Sequence, residues 1–523
     1  MEFKLTAMDL SGIKNIVFDF GGVLVNLNQQ ACMDELTRLG VPNIEDYLTA
    51  YGHVGIFGAF ENGDVDLPTF CRGVREQFHL DCEDIDVENA WAKFLENIPY
   101  KKLKLVYALS KKYRIFILSN TNPIHIKSFS LFDQAGFPYK ECVEKPYYSF
   151  QIRHSKPSLE IFRHVTDDAG ILPEETLLVD DSPKNCAAAA SLGWKTYCPG
   201  TSEDFCEDLF PEETAYIMSE DFQAPPFQAC VATMGFFDGV HQGHKFLINK
   251  LQDLADKKRM PSLLLAFWPH PRKVLQADYC PQLLSTQAEK KQALRQTAAD
   301  KVEILPFTAE MSVMSARDFM EKILRDTYHV RCLLMGHDHH FGKDGRQLQF
   351  EDYQRYGQEL GIEVLRAEPY YQGQELISSS FVRAALQAHD IEAANAALGY
   401  PYFLQGKVCQ GYGNGKKIGF PTANIRVEDE NKLIPARGVY AVRVQIESEN
   451  YLGMLNIGTR PTLCDGGEAS IEVHIFDFEQ DIYHQNIRIE FLHYLREERP
   501  FASLDELQAR LAKDRATILA DFS

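Results

Sequence analysis

The chain has no excess of positive charge. Its 54 Lys and Arg residues stand against 74 Asp and Glu, a formal net charge of −20 over 523 residues. A nucleic-acid partner is therefore not expected, because no basic field is available to neutralise a phosphate backbone. Long apolar runs are missing too. No stretch is long enough to cross a bilayer, and the opening Met-Glu-Phe-Lys-Leu-Thr-Ala-Met-Asp-Leu carries no signal-peptide core. The twelve cysteines include no Cys-x-x-Cys pair. That spacing excludes a zinc-ribbon reading and predicts reduced, mostly buried thiols of a cytoplasmic protein with no membrane partner. Internal repeats and low-complexity tracts are absent. The oligomeric state has no signature in the sequence.

The length calls for about three domains. From Ile13 to about Cys198, strand-like apolar runs alternate with helical patterns, which predicts a parallel sheet covered by helices. Acidic residues and Pro225-Pro226 break that rhythm between Pro199 and Gln228. Domain boundaries are therefore expected at 1–205, with 206–228 as a linker, then 229–398 and 399–523. The second segment alternates again, with strands expected at Ala229–Met234, Ser262–Phe267, Val330–Gly336 and Gly361–Leu365. After Tyr402 the period changes to two: Tyr440, Val442, Val444 and Ile446 alternate with polar or small residues, as do Ile471, Val473 and Ile475. Such alternation between glycine-rich turns predicts an antiparallel sheet or barrel. A last helix opens at Ser503-x-x-Glu506 and carries Leu504, Leu507, Leu511 and Ile518 on one side.

The most informative stretch is Thr233-Met-Gly235-Phe-Phe-Asp238-Gly-Val-His241-Gln-Gly-His244. A strand enters a glycine turn, and two histidines three residues apart share one face of the following helix start. Unpaired N–H groups and the dipole favour an anion there, which suits nucleotide phosphates and a departing pyrophosphate. Trp268-Pro-His270-Pro, Gly336-His-Asp338-His-His and Ser378-Ser379-Ser380-Phe-Val-Arg383 follow in order. Each lies just after a strand-like run, where ligands bind in open α/β sheets. Taken singly, each of these motifs is also compatible with a surface turn or a helix cap.

In the C-terminal segment, Gly411-Tyr-Gly-Asn-Gly415-Lys-Lys-Ile-Gly leads into Phe-Pro-Thr422-Ala-Asn424. Four glycines in nine residues let backbone N–H groups curl around an anion. Thr422 and Asn424 add hard oxygen ligands suited to Mg²⁺. Glu472 falls on the strand face opposite Ile471 and Val473, free to take a proton from an attacking hydroxyl.

In the N-terminal segment, Asp19 ends a buried strand-like run. Ser119 follows a second such run, Lys156 precedes a helix, and Asp180-Asp181 close a third. These are the parts a phosphoryl-accepting aspartate requires: a hydroxyl, a cation and further carboxylates for a metal.

The joint order of these motifs resembles known families. Residues 229–523 resemble the bacterial bifunctional riboflavin kinase/FAD synthetases, and residues 13–205 resemble the haloacid dehalogenase superfamily with a small helical cap at about 28–100. The resemblance implies a multidomain α/β protein. Its parts would be a Rossmann-like haloacid dehalogenase domain, a Rossmann-like nucleotidyltransferase domain and a C-terminal antiparallel β-barrel. It implies riboflavin plus ATP giving FMN, then FMN plus ATP giving FAD and pyrophosphate, with Mg²⁺ assisting. By the matching motifs, His241, His244, Ser379 and Arg383 would hold ATP phosphates. Gly235, Asp238, His270, Asp338 and Ser380 would line the nucleotide and flavin site, and Gly411 and Gly415 the second phosphate loop. Thr422 and Asn424 would lie near Mg²⁺, with Glu472 as base. In the first domain Asp19 would be the nucleophile and Ser119 and Lys156 the phosphate ligands, with Asp19, Asp180 and Asp181 around Mg²⁺.

Phe236 departs from the pattern, standing where many members carry Asn. So does Gly21, where the phosphatases of the superfamily carry a second aspartate that protonates the leaving oxygen. The first domain is therefore expected to be either a weak or specialised phosphatase on a small ester, or a non-catalytic binding or assembly domain. FMN is an unattractive substrate for it, since hydrolysis beside a riboflavin kinase wastes ATP. An alternative for the whole chain keeps one transferase active and uses the other domains for binding or assembly.

Overall fold

The structure, a computed structural model, describes residues 8–49, 52–127, 139–199, 205–219, 221–225, 227–276, 278, 280–410, 419–459 and 469–522. The chain forms two compact units: residues 1–231 with 252–262 and 321–332, and residues 232–251, 263–320 and 333–523.

The first unit is built on a five-stranded sheet. Its strands are β1 (Asn15–Phe18), β2 (Arg114–Ser119), β3 (Lys145–Tyr148), β4 (Thr176–Val179) and β5 (Lys195–Tyr197), in the order β3-β2-β1-β4-β5. All neighbours pair in parallel. The central strands β1 and β4 are buried along their whole length, as their unbroken apolar runs require. Between β1 and β2 the chain leaves the sheet to form α1 (Gln29–Leu39), α2 (Gly55–Glu61), α3 (Leu67–Phe78) and α4 (Asp84–Ala92). These four helices close over an aromatic core of Phe57, Phe60, Phe70 and Trp91.

The segment 206–228, read as a linker, is corrected by the structure. Helices Phe205–Leu209 and Pro211–Met218 occupy much of it, and Phe205, Leu209, Phe210 and Ile217 are buried. Its composition has a second meaning. Pro211 at the first helical position and Glu212 and Glu213 in the first turn are helix-start signals.

A second five-stranded sheet contains β6 (Cys230–Gly235), β7 (Ser262–Trp268), β8 (Lys301–Pro306), β9 (Val330–Met335) and β10 (Glu363–Arg366), ordered β8-β7-β6-β9-β10. Strand β8 was not among the expected strands. Gly361, expected to open the last one, instead ends the preceding helix in the left-handed conformation. Helices α5 (Gln242–Lys258), α6 (Gln287–Arg295) and α7 (Ser379–Gln387) carry the residues described below.

A closed six-stranded barrel follows, formed by β11 (Phe403–Cys409), β12 (Ala423–Arg426), β13 (Gly438–Ile446), β14 (Glu449–Thr459), β15 (Ala469–Ile475) and β16 (Asn486–Arg496). Their order is β11-β12-β15-β14-β13-β16, and every recorded pairing is antiparallel. Tyr440, Val442, Val444, Leu455, Ile471 and Val473 fill the interior. Helix α8 (Leu504–Phe522) covers an outer face of Val439, Ala441, Met454 and Phe476 through Ile518 and Leu511. Its start follows the expected capping pattern, with the Glu506 N–H donating to Ser503 Oγ at 3.2 Å. Leu504, placed on the packed side by its spacing, is 66% exposed. No described helix is long and apolar enough to cross a membrane.

Candidate active sites

In the first unit the strand ends bring together the residues expected there. Asp19 follows β1, Ser119 ends β2, and Asp180 and Asp181 follow β4. The Lys156 ammonium lies 2.9 Å from Asp19 Oδ2 and 2.6 Å from Asp180 Oδ2, and donates to the Leu118 carbonyl at 2.9 Å. Asp180 is fully buried and accepts from Ser182 N–H and Asn185 Nδ2, both at 2.9 Å. Asp19, Asp180 and Asp181 each bring a carboxylate oxygen within 4.8 Å of the others. One ammonium cannot balance three such carboxylates. Burial, then the neighbouring Asp180, holds Asp19 and Asp181 above the usual carboxylate range despite Lys156. A hard divalent cation fits this oxygen set. Gly22 lies at φ +77°, and a Cβ there would stand 2.4 Å from Asp181 Oδ2, so only glycine lets the loop pass. Ser119 is buried, and among the described residues its hydroxyl makes only a long 3.4 Å contact to the Asn120 carbonyl. Gly21 offers no acid beside Asp19.

In the second unit β6 delivers Gly235 into the loop that carries Asp238, His241 and His244. The two imidazoles stack with centroids 3.6 Å apart, and the His244 N–H donates to His241 Nδ1 at 3.3 Å. His241 is buried and His244 half-buried. Burial, then Arg383, pushes His241 down to about 4, and burial with His241 and Lys290 holds His244 well below its usual value. They are neutral imidazoles at pH 7 and so act as hydrogen-bonding groups rather than cations. His244 Nδ1 is buried with no hydrogen-bond partner among the described residues. Gly243 explains the small residue between them. A Cβ there would meet the Ile377 carbonyl at 2.8 Å, so glycine lets the start of α5 press against the chain entering α7.

Asp238 is tied into its own surroundings. It is 2% exposed, accepts from the Leu284 and Ser285 N–H groups at 3.0–3.1 Å, and pairs with Arg383 Nη2 at 2.5 Å. Ser379 Oγ donates to the Asp238 carbonyl at 2.9 Å, while Ser378 caps α7. Two of the expected phosphate ligands, Ser379 and Arg383, are thus already bonded to one loop. Ser380 is exposed on the first turn of α7. His270 caps a short helix through its Nδ1 and sits edge-on to Phe236 at 4.5 Å. Burial lowers it to about 4. Asp338 lies on the loop after β9 with its side chain 83% exposed.

Lys290, on α6, escaped the sequence reading. Its side chain is buried, its ammonium lies 3.2 Å over the Phe236 ring and 4.9 Å from that of Trp268, and it donates to the Phe236 carbonyl at 2.8 Å. Burial lowers it to about 7, against the pull of Asp238. The available signal was a lysine four residues before the buried Leu294, on the inner stripe of its helix.

On the barrel, Asn424, Glu472 and Asn456 stand opposite one another across β12, β15 and β14. Thr422 Oγ1 donates to Glu472 Oε2 at 3.3 Å. Neighbouring Ile471 and Val473 are buried inward while Glu472 is half-buried on the other face. Thr422, Asn456 and Glu472 line a cavity of about 390 Å³ under α8, walled by Phe420, Met454, Phe501 and Leu507, whereas Asn424 is buried beside Glu472 and is not part of its lining. Asn456 Oδ1 is buried with no hydrogen-bond partner among the described residues, and its Nδ2 donates to Glu498 at 3.1 Å. Thr422 and Asn424 offer hard oxygens of the kind that suits Mg²⁺, with Glu472 next to both. Gly411 and Gly415 lie outside the described residues.

Three family patterns match the chain in succession: haloacid dehalogenase-like hydrolase over residues 13–193, FAD synthetase over 224–381 and riboflavin kinase over 398–522. The bifunctional riboflavin kinase/FMN adenylyltransferase of Escherichia coli (strain K12) is 36% identical over 293 residues, covering 56% of this chain and 92% of that protein. The protein of the same description from Pseudomonas fluorescens is 36% identical over 296 residues, covering 57% and 94%. The solved structure of a macrolide-efflux protein from Streptococcus pneumoniae aligns with a TM-score of 0.52 at 30% identity, over 58% of this chain and 97% of that one.

Proposed function

Since the chain belongs to the bifunctional riboflavin kinase/FMN adenylyltransferase family and carries a haloacid dehalogenase-like domain ahead of those two, we propose the following division of labour among its residues.

The barrel phosphorylates riboflavin. Glu472 takes the proton from the ribityl 5′-hydroxyl as that oxygen attacks the γ-phosphorus of ATP, and the β–γ bridging oxygen leaves with ADP. Thr422 and Asn424 hold Mg²⁺, which supplies charge neutralisation to the phosphates when bound. The hydrogen bond from Thr422 to Glu472, at the mouth of an apolar-walled cavity, carries this assignment.

The middle domain adenylylates FMN. The FMN phosphate attacks the α-phosphorus of ATP directly, so no protein nucleophile is needed and catalysis is positioning and charge stabilisation. His241 and His244 orient phosphate oxygens as neutral hydrogen-bonding groups. Arg383 and Lys290 supply the positive charge, and the α5 N-terminus supplies N–H groups to the departing pyrophosphate. Asp238 positions Arg383. Gly235, His270, Asp338 and Ser380 line the nucleotide and flavin binding region.

The first domain is a phosphatase for a small phosphate monoester. Asp19 attacks phosphorus, and Ser119 and Lys156 hold the phosphoryl oxygens. Asp19, Asp180 and Asp181 hold Mg²⁺, whose role is to neutralise charge at the phosphoryl group.

The test is one incubation of the full chain with riboflavin, ATP and Mg²⁺, followed by chromatography. FMN appearing first and FAD second supports the two transferase assignments. FMN accumulating alone contradicts the adenylyl assignment. Phosphate release from a panel of sugar and polyol phosphates, abolished by Asp19→Asn, tests the first domain.

A further inference from the structure

The first domain has an unfilled role. With glycine at position 21, the residue two beyond Asp19 can neither protonate a leaving alkoxide nor later activate water. Losing that help costs on the order of 10²–10⁴ in rate. We propose that Glu61, at the C-terminal end of α2, is the general acid and base of this site, acting on a small phosphate monoester with an alkyl leaving group. The proposal rests on the phosphatase reading of the domain.

The placement of Glu61 is fixed from both sides. Its backbone carbonyl accepts from Ser149 Oγ at 2.8 Å, and that same hydroxyl accepts from the Thr121 N–H at 2.9 Å, two residues beyond Ser119. Asn62 Oδ1 accepts from Ser155 Oγ, the neighbour of Lys156. Lys156 is tied in turn to Asn120, through its N–H to Asn120 Oδ1 at 2.8 Å and its carbonyl from Asn120 Nδ2 at 2.9 Å. Glu61 and Asn62 are therefore pinned to the two loops that present Ser119 and Lys156. Gly63 makes the approach feasible, because a Cβ there would overlap the Phe150 carbonyl at 2.1 Å.

The Glu61 side chain is 15% exposed, and its Oε1 lies 3.9 Å from His53 Nε2. His53 meets Trp91 and Phe94 edge-on, at 5.3 and 5.5 Å between centroids, so the carboxyl sits against an aromatic wall of the cap. Burial raises Glu61 to about 7, partly offset by the Lys156 charge. His53 and Lys156 are the titratable groups facing it. A carboxyl in that range serves both as donor and as acceptor near neutral pH.

The reaction balances with these residues alone. Asp19 Oδ forms a bond to phosphorus as the ester P–O bond breaks, and the Glu61 proton passes to the departing alkoxide, releasing an alcohol. Ionised Glu61 then takes a proton from water as its oxygen attacks phosphorus. The Asp19–P bond breaks and inorganic phosphate leaves, with Glu61 protonated again.

Full-length Glu61→Gln with p-nitrophenyl phosphate and Mg²⁺ tests this. An aryl oxide departs without a proton, so the variant gives one burst of nitrophenolate per chain and then stalls, with intact-protein mass spectrometry showing a phosphorylated chain. Steady turnover falls by about 10²-fold or more. Adding Gly21→Asp to Glu61→Gln restores turnover by at least about tenfold, an outcome no unfolded variant gives. Position 21 accepts the side chain, since its Cβ would meet only the end of Leu27 at 3.2 Å. Glu61→Gln turning over within about threefold of the parent, or losing both burst and turnover without rescue by Gly21→Asp, overturns the proposal and leaves the phosphatase reading standing. A parent chain releasing no more phosphate than Asp19→Asn overturns both.

Discussion

Lys290 holds its ammonium 3.2 Å over the ring of Phe236 and donates to the carbonyl of the same residue. An aromatic face is one of few surroundings that stabilise a buried cation. Here it keeps a titratable charge among the loops of the middle domain proposed to bind the nucleotide. Lys290→Met is predicted to lower FAD formation from FMN and ATP by at least about tenfold while leaving FMN formation from riboflavin unchanged. The folded pKa of about 7 lies below the ordinary 10.5. Between those values the unfolded chain binds a proton the folded one lacks, so stability contributed by this position rises with pH across that window. Denaturant titrations at pH 7 and 9 check this. The parent should gain more than Lys290→Met on going to the higher pH.

The stacked pair His241 and His244 predicts the response to acid. Both are neutral in the fold, and each would take up a proton near pH 6.5 once unfolded. Stability is therefore lost as pH falls from about 6.5 toward 4. Replacing both by asparagine should flatten that loss in equilibrium unfolding at pH 7 and 5. His244→Ala alone should abolish FAD formation and spare FMN formation, read by chromatography of the flavins.

Glu472 makes the reciprocal prediction. Glu472→Ala removes the proton acceptor, and riboflavin phosphorylation should fall by about 10²–10⁴. FAD formation from supplied FMN should stay within about twofold, since Glu472 belongs to the barrel cavity and the adenylyl site uses other residues. Loss of both activities in a folded variant contradicts the separation of sites.

Lys432 and Glu289 form an ion pair at 2.6 Å, with side chains 1% and 6% exposed, and Lys432 also donates to the Leu284 carbonyl. Removing one partner strands the other charge. Lys432→Ala is predicted to cost about 3–5 kcal/mol, and Lys432→Met with Glu289→Leu distinctly less. Urea unfolding of the three proteins measures the difference.

Much of the fold was legible because the candidate residues sit where chain geometry is most regular. Asp19, Ser119 and Asp180 lie at or just beyond the ends of buried parallel strands, and period-two alternation marked the strand that carries Glu472. Other features depended on tertiary partners that no local pattern reveals. Lys290 looks like a solvated helix lysine until α6 turns it onto Phe236. Glu61 ends an apolar helix and gains meaning only through its anchors at Ser149 and Ser155. Arg383 and Ser379 are motif residues already bonded to Asp238, a pairing that spacing alone does not show. The helices at 205–218 were hidden by composition that is shared between linkers and helix starts.

The most direct measurement mixes equal amounts of His244→Ala and Glu472→Ala with riboflavin, ATP and Mg²⁺. Each variant alone should form no FAD, whereas the mixture should form FMN on one protein and FAD on the other. A mixture that accumulates FMN without FAD, or forms neither, contradicts two independent sites for phosphoryl and adenylyl transfer in this chain.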